Sequence, residues 1–178
     1  MPDLLYALSV KQPWAALLAA GRKTVEVRTW PASRRGPVLI HASKVPDLRP
    51  EGWAAVDTPA LKALAELRGG IIAVAEFTDC LRYESAEVFA ADAPRHFNAP
   101  AWFRPPRMYG FAFESARVLP FAPWTGNTFF FSVAGYILLE PVAHARGSEN
   151  PTAELDTSAP PVIWVDPPEG SRKGIPAP

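Results

Sequence analysis

Apolar and polar positions change period several times along the chain, and each change marks an element. Leu4 to Val10 is an apolar run that reads as a first strand, with Ser9 near its end. Gln12 and Pro13 follow, and proline suits the first turn of a helix, where its missing N–H has no helical partner. Trp14, Leu17 and Leu18 give that helix a core-facing stripe, and Gly21 is placed to end it. From Thr24 to Trp30 the period falls to two. Thr24, Glu26, Arg28 and Trp30 share one face of a second strand, with Val25 and Val27 on the other. A loop over Pro31 to Gly36 carries Arg34 and Arg35, and Pro37 to Ser43 is a third strand.

Leu61, Leu64, Ala65 and Leu67 recur at helical spacing, so Pro59 to Arg68 reads as a helix that Gly69-Gly70 ends. Ile71 to Leu81 is dense in β-branched and apolar residues and reads as a long central strand. Ser85 to Ala91 is a short helix with Ser85 as N-cap and Glu87 in the first turn. His96 to Arg107 is an aromatic and proline-rich loop. Tyr109 to Phe121 alternates as a strand, Gly126-Asn127 turns the chain into Phe129 to Val133, and Tyr136 to Glu140 follows. From Pro141 the composition shifts, with eight prolines by Pro178. The expectation is one domain over residues 1–140 and an extended or partly disordered tail over 141–178, in which Val162 to Val165 can dock as an edge strand. Several strands with two or three helices and short turns make the fold class α+β, built on a small curved sheet or barrel.

The 178 residues suffice for one domain. Zero net charge argues against non-specific coating of nucleic acid or anionic membrane. Between Lys11 and Arg49, however, eight Lys and Arg residues face only Glu26 and Asp47, which makes a local basic segment. The single cysteine, Cys80, sits in an apolar run and reads as an inert thiol. No apolar segment approaches the ~18 residues of a membrane span. The expectations are therefore a cytoplasmic monomer with no membrane partner. His41, His96 and His144 lack metal-ligand spacing, so neither metal nor cofactor is expected, and His41 reads as a satisfied strand histidine.

A carboxylate, a guanidinium and an indole on one strand face suit a flat, polar, heteroaromatic ligand. Spacing alone favours a solvated face of mutual ion pairs, since such pairs are common on surfaces. In the functional reading Glu26 accepts hydrogen bonds from a base edge, while Lys23 and Arg28 meet phosphate or carbonyl oxygens. Trp30 is the leading stacking candidate, ahead of Trp102 and Trp124, and Trp14 reads as core. Arg34, Arg35 and Lys44 would hold a backbone phosphate, and Ser9 and Gln12 complete the ligand-binding set. No base in the sequence stands convincingly near Ser9, Ser43 or Thr24 for nucleophilic catalysis.

The run LSVKQPWAALLAAGRKTVEVRTW, continued by RRGPVLIHASK, resembles an ASCH domain, most closely the form at the C-terminus of activating signal cointegrator proteins. The family's GxKxxExR signature reads as Gly21, Lys23, Glu26 and Arg28, and its QPW helix start as Gln12, Pro13 and Trp14. The resemblance covers about residues 4–140. It implies a PUA-like β-barrel with a cleft over the signature and a role with RNA, single-stranded nucleic acid, a nucleotide-like molecule or an unstacked, even modified, nucleobase.

A second branch of the family deacylates N4-acetylcytidine with a lysine, a threonine three residues later and a more distant glutamate. Here Lys23 is present, but Glu26 holds the threonine position, and Glu84 and Glu87 are only nearby candidates for the third role. As an enzyme the chain would rely on Lys23 and Glu26, yet Glu26 would push the lysine pKa up and away from nucleophilic use. A weak metal-dependent ribonuclease is a third reading, set against a signature with one carboxylate.

Overall fold

The computed structural model describes residues 5–134, 136–138 and 162–164. The chain divides into two compact units, residues 6–132 and a second made of 1–5 with 133–178. The first begins in β1 (Leu5–Val10), followed by α1 (Trp14–Ala19), β2 (Val25–Arg28) and β3 (Gly36–Ala42). Two helices, α2 (Pro50–Ala54) and α3 (Pro59–Glu66), lead to the long β4 (Gly70–Tyr83). Short helices α4 (Ala86–Ala91) and α5 (Ala93–His96) and a 3₁₀ turn over Pro100–Trp102 precede β5 (Met108–Pro123) and β6 (Phe131–Val133).

These strands form one mixed sheet in the order β2-β5-β4-β3-β1-β6. The β1–β3 pair is parallel, while β3–β4, β4–β5 and β2–β5 are antiparallel. Register shifts interrupt the β4–β5 ladder at three places. Each extra residue bends its strand and raises the local twist, so the two longest strands curl the sheet into a half-barrel. Helix α1 packs against β3, β4 and β5, and all six of its residues are buried. A helix apolar on every side is stable only when surrounded, and this one fills the hollow of the sheet. Gln12 ties its start down: Oε1 accepts from Ala16 N–H at 3.0 Å, and Nε2 donates to the Leu64 and Leu67 carbonyls, each at 2.9 Å.

Several elements differ from the pattern-based expectation. The second strand is Val25–Arg28 rather than Thr24 to Trp30, because Trp30 leaves the ladder to pack edge-on against Phe111 and Phe130. Helix α2 was not anticipated; Pro50 opens it, and it is too short to show a period. Helix α5 and the 3₁₀ turn interrupt the neighbourhood read as a loop, both with proline in the first turn. Ser85 does cap α4, its Oγ accepting from Val88 N–H at 3.3 Å.

In the second unit β7 (Tyr136–Leu138) pairs antiparallel with β8 (Val162–Trp164). The strand expected within Val162 to Val165 is thus found, while the boundary at 140 and the rest of the tail, His144 included, lie outside the described residues. Among the described residues no helix is long and apolar enough to cross a membrane.

Candidate nucleic-acid interface

Edge strand β2 and strand β1 have no ladder between them, and Arg28 bridges the gap by donating from its terminal nitrogen to the Ser9 carbonyl at 2.7 Å. A cleft opens here in two lobes of about 800 Å³ and about 660 Å³. Lys11, Trp14, Glu26, Arg28, Arg49 and Thr128 line both. Across the two lobes six cationic side chains (Lys11, Lys23, Arg28, Lys44, Arg49, Arg104) face Glu26 and Asp47. The neutral chain therefore carries a strongly basic concavity, which favours an anionic occupant.

The turn from α1 into β2 positions the first cluster. Gly21 has φ +68°, a left-handed conformation open to glycine, and no atom would crowd a Cβ there, so backbone angle rather than space selects it. Lys23 then turns inward and is 1% exposed. Its Nζ donates to the Val25 and His96 carbonyls and stands 3.3 Å from Glu26 Oε2. Burial, the largest influence, pulls its pKa below the usual lysine range; Glu26 opposes that, and Arg28 and Arg49 add to it. Glu26 does raise this pKa as expected, but desolvation outweighs one partner and the net direction is down. Three acceptor oxygens around Nζ still match three N–H donors, the geometry of an ammonium rather than an amine. On the other side of Glu26, Oε1 lies 3.3 Å from the Arg28 guanidinium. Each carboxylate oxygen thus has one cation and keeps acceptor capacity toward the cleft. Arg28 Nε is buried and makes no hydrogen bond among the described residues.

Long-range contacts assemble a second cluster. Asp47 and Arg49 form a close ion pair, with Arg49 Nε 2.9 Å from both carboxylate oxygens. Asp47 also accepts from Trp14 Nε1–H at 3.0 Å, and Arg49 donates to Asn98 Oδ1 at 2.8 Å. Burial pushes the Asp47 pKa up, but the bonds from Arg49 and Trp14 together bring it down to about 2. The Arg49 guanidinium lies 3.2 Å from the Trp102 ring centre and 5.0 Å from that of Trp14.

A third group holds the strap between β5 and β6. His41 Nε2 is 3.0 Å from the Trp124 carbonyl, which can only accept, so Nε2 carries the proton. Nδ1 therefore accepts from Ser9 Oγ–H at 3.0 Å, and Ser9 Oγ accepts from Asn127 N–H at 3.2 Å. One serine–histidine couple thus grips the strap on both sides of Gly126. A Cβ on Gly126 would stand 2.4 Å from His41 Cε1 and 2.5 Å from Ser9 Oγ, so only glycine lets the strap approach this closely. Burial lowers the His41 pKa, which favours the neutral ring this relay requires.

A model of the ASCH domain matches residues 8–123. The chain belongs to the ASCH domain family. Among solved structures, a serine-to-alanine variant of ZmASCH from Zymomonas mobilis superposes with a TM-score of 0.52 at 12% identity, covering 75% of this chain and 91% of that one. A tyrosine-to-phenylalanine variant of the same protein gives 0.52 at 12%, covering 72% and 88%. The parent ASCH protein from Zymomonas mobilis gives 0.51 at 12%, covering 72% and 86%. At that identity the likeness speaks for the fold. No curated protein matches the chain.

Within this ASCH domain the signature residues Lys23, Glu26 and Arg28 converge on the cleft wall, and Ser9 and Lys44 line its larger lobe. Trp30 lines the smaller lobe, but Phe111, Phe129 and Phe130 meet its ring edge-on at 4.9, 5.2 and 5.7 Å, so it packs as wall rather than open platform. Gln12 is corrected from ligand contact to helix anchor, being fully buried with its carboxamide bonded to backbone. Arg34 and Arg35 are corrected too, since neither lines a lobe. Arg34 lies over the Tyr6 ring at 3.3 Å, and Arg35 pairs with Asp79 at 3.0 Å. His41 does stand beside Ser9, contrary to the expectation that the serine has no nearby base. Asp47, Arg49, Asn98 and the strap were not singled out, because only chain-distant contacts bring them to the cleft. Among the described residues no three His, Cys, Asp or Glu side chains group to hold a metal ion.

Proposed function

We propose that the cleft binds single-stranded nucleic acid, holding an unstacked base with its edge toward Glu26. The observation that carries this reading is Glu26 itself, a carboxylate flanked by Lys23 and Arg28 in the wall common to both lobes. Ion-paired on both sides and 12% exposed, it offers carboxylate oxygens as acceptors for base amino and imino groups. Lys23 orients Glu26 from beneath, and Arg28 fixes its other oxygen. The Arg49–Trp102 pair presents planar groups of the kind bases stack on. Membership of a family regarded as RNA-binding agrees with this. Deacylation of an N4-acylated cytidine has no comparable support: its lysine would need a free amine, and Lys23 Nζ is surrounded by oxygens. The account predicts that N4-acetylcytidine incubated with the protein at neutral pH stays intact by chromatography.

The test is fluorescence anisotropy with a random-sequence eight-nucleotide RNA, followed by sequencing of the bound pool. Wild-type protein should bind and enrich particular bases. Glu26→Gln exchanges an acceptor for a donor and should change which bases are enriched, whereas Arg34→Ala and Arg35→Ala should leave binding unchanged. Absence of binding by the wild type, or an unaltered base preference in Glu26→Gln, contradicts the reading.

A further inference from the structure

Half of the six cations of the cleft are already engaged. Lys23 and Arg28 flank Glu26, and Arg49 is paired with Asp47. Lys11, Lys44 and Arg104 form no ion pair among the described residues, and their placement is ordered. Lys44 lines only the larger lobe, Arg104 only the smaller, and Lys11 both. Lys44 shares the larger lobe with His41 and with Thr125 to Asn127, while Arg104 lies 5.6 Å from the Trp102 ring centre in the smaller lobe. Each lobe by itself has the ~300–1,000 Å³ typical of a site for one small ligand. The strap borders the larger lobe with Thr125 to Thr128 and reaches the smaller with Thr128 and Phe129, so one wall runs the length of both.

Resting on the reading of the cleft as a nucleic-acid site, we infer that its occupant is a strand of at least three nucleotides threaded through both lobes. Successive phosphates meet Lys44, Lys11 and Arg104. A mononucleotide has one phosphate and can satisfy only one of the three. The bases lie toward Glu26 and the Arg49–Trp102 pair. Charge spacing along the cleft, rather than one deep pocket, then sets affinity.

Binding of random-sequence 5′-phosphorylated RNAs one to eight nucleotides long, measured on the full chain across a salt series, tests this. Affinity should climb from one to about three or four nucleotides and then level off. The slope of log K against log salt should be roughly −2 for the longer RNAs, at about −0.7 per phosphate on a single strand. Lys11→Gln, Lys44→Gln and Arg104→Gln should each flatten it by about 0.7, and Arg34→Gln should not. Binding that does not depend on length, with slopes unmoved by the three variants, overturns the threading and leaves the cleft as a one-nucleotide site. Equal affinity for an oligo-aspartate of the same charge also overturns it, since the cleft would then read charge alone. If no RNA of any length binds, the underlying nucleic-acid reading falls with it.

Discussion

Lys23 is among the largest fully buried side chains, and its ammonium satisfies two backbone carbonyls and one oxygen of Glu26. Removing one member of such a buried pair leaves the other uncompensated, which typically costs about 3–5 kcal/mol. Arg28 still flanks Glu26, so Lys23→Met should fall near the lower end, about 3 kcal/mol, by urea denaturation. A loss under about 0.5 kcal/mol, the range of an exposed pair, would contradict the anchoring role. Asp47 carries a pH signature. Its folded pKa, about 2, lies below the 3.8 of an ordinary aspartate. The stability it contributes is present above about pH 4 and is lost as pH falls toward 2. Asp47→Asn should flatten the stability profile in that window.

Around Gly126 the strap between β5 and β6 is held by the serine–histidine couple, while at its start Trp124 N–H also donates to the Gly69 carbonyl at 3.0 Å. Individual bonds of this kind contribute about 0.5–1.5 kcal/mol each, so the strap should be the least protected part of the cleft wall. His41→Ala should raise amide exchange at Gly126 to Thr128 while leaving the β4–β5 ladder protected. Unchanged exchange there would mean that other contacts hold the strap. This element also marks a limit of sequence reading. Period-two alternation put Glu26 and Arg28 on one strand face, toward one cleft, and Ser85 was legible as a cap, because both are local properties, whereas Trp30 reaches that cleft only after leaving the ladder. The grip on the strap joins Ser9, His41, Trp124 and Asn127, which lie far apart in the chain, and no periodicity marks that meeting. Arg34 and Arg35 failed for the converse reason: adjacent in sequence to the signature strand, they sit on a loop whose path takes them to Tyr6 and Asp79.

For the whole molecule, the order of strands, helices and turns made an α+β domain on a small curved sheet or barrel legible, and the resemblance carried by Gly21, Lys23, Glu26 and Arg28 narrowed it to the PUA-like form. Charge bookkeeping along the chain found the basic segment but not its split into paired and free cations, which needs coordinates. Burial sets the global pH response. His41 and His96 are both buried and both have pKa values lowered below 6.5 by desolvation. The unfolded chain takes up these protons first, so stability should be complete above about pH 6.5 and decline as pH falls below it. Denaturation midpoints at pH 7.5 and 5.5 check that sign. The central claim is that nucleic acid lies in the two-lobed cleft at the β1–β2 seam. Photo-crosslinking of a 4-thiouridine-containing single-stranded RNA, with the adducts mapped by mass spectrometry, tests it most directly. The account predicts adducts on peptides carrying Lys11 and Trp14, Trp102 and Arg104, and Thr128 and Phe129; adducts confined to the Tyr6–Arg34–Arg35 face would contradict it.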